Sequence, residues 1–178
     1  MKKFVLVLIV ATAALLLWNC EKDDICEDGT PTTPRMVIEF YDNSNPTSLK
    51  SVTDLKVIAD GEANGIVFNE EETDDDKYRF NGNKLQLPLK TTADAVSYTF
   101  IINDGNANTA LINADKIDIS YSRDDVYISR ACGYKTVFEL NNPGGMVLNP
   151  DADNWIEEVT VQTTTITNEN EVHVKIYF

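Results

Sequence analysis

The stretch Lys116-Ile-Asp-Ile-Ser-Tyr121 alternates apolar and polar side chains. Successive side chains of a β-strand point to opposite faces, so Ile117, Ile119 and Tyr121 are predicted to share a buried face. The polar residues between them would then face solvent. This period of two predicts a sheet with one face against a hydrophobic core.

A second stretch, Glu171-Val-His-Val-Lys-Ile-Tyr-Phe178, repeats the alternation. Its valines, Ile176 and Phe178 are predicted to face the core, and the intervening side chains are predicted to face solvent. The pattern places His173, the one histidine of the chain, on the solvent face. There it would be an exposed cross-strand partner and not a catalytic base.

Other short β-type runs end at turn signals such as Asp60-Gly61 and Asn103-Asp-Gly105. Strands separated by turns about every 8–12 residues are typical of a β-sandwich. We predict an all-β, antiparallel Greek-key sandwich, immunoglobulin-like or transthyretin-like, of roughly seven to nine strands. A small closed barrel is the alternative.

Two polar segments lie between apolar runs and are predicted to be hairpin loops, namely Ser122-Arg-Asp-Asp125 and Thr167-Asn-Glu-Asn170. Pro88 near the end of a run at residues 84–89 predicts an edge strand, because proline cannot donate to a sheet ladder.

The sequence begins with a basic segment and an apolar run at residues 4–18, followed by Cys20 and acidic residues. A spanning helix needs about 20 apolar residues and a signal peptide roughly 7–15. We therefore predict a cleaved signal peptide at 1–19, a tether at 20–34 and one domain at 35–178. Cys20 at the cleavage point is typical of a bacterial lipoprotein, anchored in the membrane by lipid on this cysteine. A plain secretory signal is the alternative.

If Cys20 carries lipid, Cys26 and Cys132 remain. An oxidising envelope compartment permits a disulfide between them. It would close a long loop and contribute up to about 4–5 kcal/mol on chain-entropy grounds. Two separate buried thiols are the alternative.

The formal net charge of −14 disfavours nucleic acid and anionic lipid headgroups as partners. Within this acidic chain, Glu70-Glu-Glu-Thr-Asp-Asp-Asp76 is predicted to be a solvated loop. A docking site for a basic partner, or a diffuse cation site, is the sharper alternative.

The sequence contains no G-x-S-x-G, phosphate-loop or H-E-x-x-H motif. A triad would require His173 itself. Nothing in the linear sequence selects a glycosidase pair from 29 acidic residues. We therefore predict a protein that is not an enzyme and needs no cofactor.

One segment has the spacing of a calcium loop. Asp104, Asn106 and Asn108 offer oxygens at alternate positions, and Asp115 stands at the twelfth. Thr109, however, occupies the position where the sharp turn needs glycine. A β-turn built on Asp and Asn explains the same residues.

A glycan-binding site would need exposed aromatic rings close together. Trp155 next to Ile156 is expected to fill the sandwich core, and sugar stacking is the alternative. The aromatic residues that could form such a site are Trp155, Tyr41, Tyr78, Tyr127 and Tyr177.

Several stretches resemble an uncharacterised family of lipoproteins from Flavobacteriia and related Bacteroidota. They are Cys20-Glu-Lys-Asp-Asp-Ile-Cys26, Ile38-Glu-Phe-Tyr-Asp42 after Thr30-Pro-Thr-Thr-Pro-Arg35, Ser129-Arg-Ala-Cys-Gly133 and Glu169-Asn-Glu-Val-His-Val-Lys-Ile-Tyr-Phe178. The resemblance brings no activity with it and implies an outer-membrane lipoprotein, encoded beside an outer-membrane β-barrel-like protein. Glu21-Lys-Asp-Asp24 is similar to a signal for export to the cell surface, and a periplasm-facing position stays open.

Taken together, these features predict a lipid-anchored envelope protein that binds or scaffolds within an outer-membrane assembly. The alternatives are a glycan-binding module for nutrient capture and a calcium-binding, adhesin-like domain. The oligomeric state is left open.

Overall fold

The computed structural model describes residues 25–30 and 32–178. The predicted signal peptide and Cys20 lie outside the described residues. The described chain forms two compact units. The smaller unit contains residues 25–30 and Tyr127–Tyr134, and the larger contains residues 32–126 and Lys135–Phe178. In the described ranges, no helix has the length and apolar character needed to cross a membrane.

The described residues contain twelve strands, more than the roughly seven to nine predicted. In chain order they are β1 (Met36–Asp42), β2 (Asn45–Leu49), β3 (Val52–Ala59), β4 (Arg79–Gly82), β5 (Lys84–Leu87), β6 (Ala95–Ile102), β7 (Asn113–Ser129), β8 (Gly133–Leu140), β9 (Met146–Asn149), β10 (Glu158–Val161), β11 (Thr165–Ile166) and β12 (Val174–Tyr177). Short 3₁₀ helices occupy Asp75–Tyr78 and Thr109–Leu111. The sequence pattern missed β2, β4 and β9, since strands of four or five residues carry little alternation.

The strands form two sheets, which confirms the predicted all-β sandwich. The first has the order β10-β12-β1-β2, with β5 also paired to β1. Its pairs are antiparallel except β1 with β12, which run parallel. The second has the order β11-β8-β7-β6-β3-β4, with β9 paired to β7.

The alternation in β7 behaves as predicted over its first half. Ile117, Ile119 and Tyr121 are at most 1% exposed. Tyr121 meets Phe138 of β8 edge to face, with ring centroids 5.4 Å apart. Burial of each such side chain stabilises the fold by about 1.5–3 kcal/mol, so this face of β7 belongs to the core.

The predicted hairpin loop at residues 122–125 is wrong, because β7 continues through it to Ser129. Arg123 is held in the strand by Asp94, whose Oδ1 lies 2.7 Å from the Arg123 Nε. The turn instead precedes Gly133, whose φ of +72° is readily adopted only by glycine. An exposed strand segment with polar residues on both faces has the composition of a loop, and this explains the error.

The predicted hairpin loop at residues 167–170 is also wrong. It joins β11, which pairs with β8 in the second sheet, to β12 in the first sheet. The chain between β10 and β11 bends where the N–H groups of Gln162 and Thr163 both approach the carbonyl oxygen of His173, at 2.8 and 3.3 Å. The chain therefore leaves the first sheet after β10 and enters the second sheet at β11.

Candidate functional site: an open edge strand beside an apolar groove

Strand β5 is an edge of the first sheet, as Pro88 predicted. It pairs antiparallel with β1 in the register Met36↔Leu87 to Glu39↔Lys84. The far side of β1 is occupied by β12. Among the described residues no strand pairs with the outer side of β5. Because alternate residues of an antiparallel strand direct their N–H and C=O groups to each side, β5 presents an unpaired backbone edge.

The two faces of β5 differ. Leu85 and Leu87 are at most 1% exposed and belong to the core. Lys84 is exposed and Gln86 is half-buried. The strand ends at Leu87 because Pro88 lacks an N–H, and the Pro88 carbonyl accepts a hydrogen bond from the Tyr98 hydroxyl at 2.5 Å. The core residues fix the register of β5 and leave its outer edge in place for a partner.

A groove with an apolar wall runs beside this edge and encloses about 430 Å³, and polar atoms make up about half of its lining surface. Phe68 and Phe80 contact each other in it, with ring centroids 5.6 Å apart. Val67 is 47% exposed. The lining residues are Arg35, Ile66, Val67, Phe68, Phe80, Lys84, Leu85, Gln86 and Pro88.

The wall of the groove is held by backbone hydrogen bonds. The N–H of Ile66 donates to the Val57 carbonyl, and that of Phe68 donates to the Lys77 carbonyl, both at 2.8 Å. Gly65 approaches the sheet so closely that a Cβ there would lie 3.0 Å from the Cγ of Lys56. A side chain at position 65 would therefore require the Lys56 side chain to shift by a few tenths of an ångström where the segment meets β3.

The groove differs in charge from the rest of the chain, since none of its lining residues is acidic. Its two cations have partners outside the lining. Lys84 Nζ lies 3.8 Å from Oε1 of Glu39. Arg35 donates from Nε and Nη2 to the two carboxylate oxygens of Glu169, each at 2.9 Å. These hydrogen bonds raise the pKa of Arg35 and lower that of Glu169. The groove thus offers apolar contact on the side of Phe68 and Phe80, polar atoms along Lys84 and Gln86, and backbone pairing at β5.

Sequence reasoning identified the edge strand and missed the groove. The available signal was the run Gly65-Ile-Val-Phe68 directly before the acidic segment. Its β-branched and aromatic residues are typical of a strand, and the structure shows an irregular segment of the chain. Only the fold brings it beside β5.

The smaller unit holds the cysteine pair. Sγ of Cys26 is bonded to Sγ of Cys132, with S–S 2.04 Å and Cα–Cα 4.9 Å. Cys20, predicted to carry lipid, lies outside the described residues.

The residues of the predicted calcium loop bond to protein groups. Asp104 accepts from Nε of Arg79 at 3.0 Å. The side-chain oxygen of Asn106 accepts from the N–H of Asn108 at 2.9 Å, and that of Asn108 caps the 3₁₀ helix at Thr109. Across the described ranges, no three His, Cys, Asp or Glu residues are grouped so as to hold a metal ion. The turn explanation accounts for these contacts, and we propose no calcium site here.

Asp115, the fourth residue of that prediction, is buried in β7 with 0% exposure. Its Oδ2 accepts from the Ile156 N–H at 2.7 Å. Oδ1 has no hydrogen-bond partner within the described residues. Burial raises the pKa of this carboxyl, and the hydrogen bond from Ile156 opposes the rise. Asp115 thus fastens the segment around Ile156 to the sheet.

The aromatic residues predicted for a glycan site lie on separate elements. Tyr41 on β1 contacts Tyr177 on β12, with centroids 5.6 Å apart. Tyr78 lies in the first 3₁₀ helix. Tyr127 contacts Tyr134 in the smaller unit. Such an arrangement offers no single stacking platform, and we do not propose a glycan site from it.

Trp155 packs against the core, as expected. Its ring meets Phe178 edge to face at 5.3 Å. Its Nε1 donates to the carbonyl oxygen of Phe100 at 3.1 Å. The half-buried indole thus has its N–H satisfied and packs one edge against the core.

The prediction that His173 faces solvent is wrong, because the residue is 0% exposed. The N–H of Val37 donates to His173 Nδ1 at 2.9 Å, and the N–H of His173 returns a bond to the Val37 carbonyl at 3.0 Å. Nε2 has no partner among the described residues. Burial lowers the pKa of His173. The alternation failed here because His173 precedes β12, where the chain arrives from the other sheet.

The molecule is thus an all-β sandwich with an open edge strand next to an apolar groove. Residues 54–178 match a family of unknown function (DUF6452), and the chain belongs to this family. The matched region includes the groove from Ile66 to Pro88 and leaves out Arg35. No curated protein matches the chain, and no solved structure matches it.

Proposed function

We propose that this chain is a lipid-anchored envelope protein of Bacteroidota that binds a partner protein as a non-catalytic part of an outer-membrane assembly. The observation that carries the proposal is the unpaired outer edge of β5 beside an apolar groove. An extended peptide can add a strand to such an edge, where backbone bonds supply affinity and pockets for alternate side chains supply specificity.

The partner segment that fits is extended and apolar. Its backbone pairs with the outer N–H and C=O groups of β5. Alternate side chains of the segment enter the groove over Phe68 and Phe80, where no carboxylate disfavours them. A segment running in either direction satisfies these contacts.

The proposed anchor makes a modest interface sufficient. Lipid on Cys20 confines the protein to the membrane that holds its partner, which raises the effective concentration of each for the other. The four-residue strand β5 offers only a small interface. Confinement of both partners to one membrane compensates for the weak affinity that such a small interface provides.

A role in binding also agrees with the state of the buried titratable groups. The ring of His173 is neutral and buried, and the carboxyl of Asp115 is fastened to the Ile156 N–H. Neither residue lines the groove. These groups therefore stabilise the fold and are not offered to a substrate.

The test is crosslinking in the native membrane. A photo-crosslinking amino acid replaces Gln86, and Val67→Lys places a charge in the apolar wall. Leu49→Lys is the matched control, since Leu49 is 48% exposed on β2 and Val67 is 47% exposed. We expect one membrane-protein adduct, reduced about tenfold by Val67→Lys, which corresponds to about 1.4 kcal/mol, and unchanged by Leu49→Lys. Equal loss in both variants, or no adduct, would refute the groove as the docking site.

The anchor is tested separately with Cys20→Ser. We expect this variant to lose the acyl mass and to leave the membrane fraction. Retention in the membrane without an acyl group would show that the anchor is not the lipid on Cys20.

A further inference from the structure

The smaller unit exposes an unusual amount of apolar surface for its size. Ile25 is 78% exposed, Tyr127 54% and Tyr134 67%. The two tyrosine rings contact each other at 5.3 Å in an edge-to-face arrangement. We call these three exposed residues of the smaller unit, Ile25, Tyr127 and Tyr134, the hairpin-tip patch.

The hairpin-tip patch is tied to the chain next to the proposed anchor. The disulfide joins Cys132, in the turn between β7 and β8, to Cys26. Cys20 precedes Cys26 by six residues, which can span at most roughly 20 Å when fully extended. The turn thus stays within about 25 Å of Cys20, wherever the rest of the protein points.

The composition of the tip matches a membrane interface. Tyrosine combines an apolar ring with a polar hydroxyl and is enriched at the headgroup level of bilayers. Residues 127–134, Tyr-Ile-Ser-Arg-Ala-Cys-Gly-Tyr, contain no acid in a chain of net charge −14. Glu27 and Asp28, on the other arm of the disulfide, are exposed and favour a zwitterionic over an anionic lipid surface.

We propose that the hairpin-tip patch docks onto the membrane surface and inserts Tyr127 and Tyr134 among the lipid headgroups. The inference rests on the anchor at Cys20 that is part of the proposed function. The disulfide then has a second effect besides stability, because it couples the β7–β8 hairpin to the anchored segment. The tip becomes a second point of contact with the bilayer.

The test uses the acylated protein, purified from its own membranes and placed in phosphatidylcholine vesicles. Tyr134→Trp puts an indole in the patch. Val147→Trp is the control, because Val147 is 47% exposed and no disulfide joins it to the anchored segment. Vesicles with brominated acyl chains quench an indole that reaches the bilayer. Trp155 contributes the same background to both variants.

We expect bromination to lower the emission of the Tyr134→Trp indole at least about twofold. Bromination should lower the emission of the Val147→Trp protein no more than it lowers the emission of the parent protein, which carries neither substitution. Equal quenching of both indoles overturns the inference. Protection of the Tyr134→Trp indole from aqueous iodide without quenching by bromine would show that protein, in this chain or a second copy of it, covers the patch, and this also overturns the inference.

Failure of the anchor is distinguishable from failure of docking. Vesicle flotation and intact mass report acylation independently of the indole. A protein that lacks the acyl mass and does not float contradicts the anchor, and the docking inference falls with it. A protein that floats with an unquenched indole contradicts docking alone.

Discussion

Among single residues, His173, which directly precedes β12, is hydrogen-bonded to Val37 in the neighbouring strand β1. Its ring nitrogen Nδ1 and its backbone N–H both bond to Val37. The ring must therefore be neutral, because a protonated Nδ1 cannot accept the Val37 hydrogen bond. Burial lowers the pKa of the ring in the folded state.

The first prediction follows from this lowered pKa. An unfolded histidine takes up its proton below about pH 6.5, and folded His173 does so only at a lower pH. The unfolding free energy is therefore expected to fall as the pH drops below about 6.5, by at most about 1.4 kcal/mol per pH unit. Urea denaturation between pH 7.5 and 5 measures the slope.

The control is His173→Phe, which removes the only histidine of the chain. We expect this variant to be less stable at pH 7.5, because the Val37 N–H loses its partner, and to lack the slope between pH 6.5 and 5. An unchanged slope would show that other groups cause the pH dependence.

Gly105 is a second residue whose substitution is expected to change the unfolding free energy by a measurable amount. Its φ is +78°, and a Cβ there would lie 2.6 Å from Cζ of Arg79. The Arg79 guanidinium bonds both Asp76 and Asp104 and cannot move without breaking those ion pairs. A side chain at position 105 would therefore both strain the backbone and collide with the Arg79 guanidinium.

We predict that Gly105→Ala lowers the unfolding free energy by about 2–3 kcal/mol, from the positive φ and the collision together. Gly61→Ala is the matched control. Its φ is +87° and nothing lies within 4 Å of its added Cβ, so only the backbone term of about 1 kcal/mol is expected. Equal losses in the two variants would show that Arg79 moves aside freely.

At the scale of elements, the sequence pattern predicts strands where one face is buried and fails where both faces are wet. In β6 and β8 buried residues recur at every second position, whereas β1 begins with three consecutive buried residues. The outer half of β7 was missed because residues 122–127 are all exposed. Their pairing with a neighbouring strand leaves no mark on hydrophobicity.

The disulfide between Cys26 and Cys132 is predicted to stabilise the folded chain. It joins residues separated by 106 positions. Cys26→Ala/Cys132→Ala is expected to lower the unfolding free energy by about 2–5 kcal/mol, because the unfolded chain regains the entropy of a long loop. Guanidinium denaturation of both proteins measures the loss. A loss below about 1 kcal/mol would mean that the smaller unit frays before the sandwich unfolds and contributes nothing to its stability.

At the scale of the whole molecule, acid pH sets two effects against each other. Protonation of carboxylates reduces the net charge of −14 and with it the self-repulsion. Several carboxylates, however, have pKa values lowered by bonds made only in the folded state. They are Asp118 with Ser97 and Asn149, Glu139 with Thr164, and Glu169 with Arg35.

We predict that the second effect prevails. A carboxyl whose pKa is lower in the folded state contributes stability above its unfolded pKa of about 4, and this contribution is lost as the pH falls. Asp115 acts with the opposite sign, since burial raises its pKa. Urea midpoints should therefore fall below about pH 4.5, and Glu169→Gln should flatten the decline. Midpoints that rise on acidification would mean that relief of charge repulsion dominates.

The groove beside the open edge of β5 is a property of the whole molecule, because no single element forms it. β5 supplies the backbone, the segment at Ile66 supplies the wall and β4 supplies Phe80. A sandwich closes its core face to face and leaves the rims of its sheets exposed. The groove lies at such a rim.

Local sequence patterns are sufficient to predict the all-β class, the faces of the strongly alternating strands and the edge position of β5. These properties are local, since alternation and proline chemistry act within a few residues. Four other features follow from long-range packing: the pairing of β12 with β1, the crossing of residues 167–170 between sheets, the burial of His173 and the groove itself. Each depends on which distant strands meet, and alternation specifies the face of a strand without specifying its neighbour.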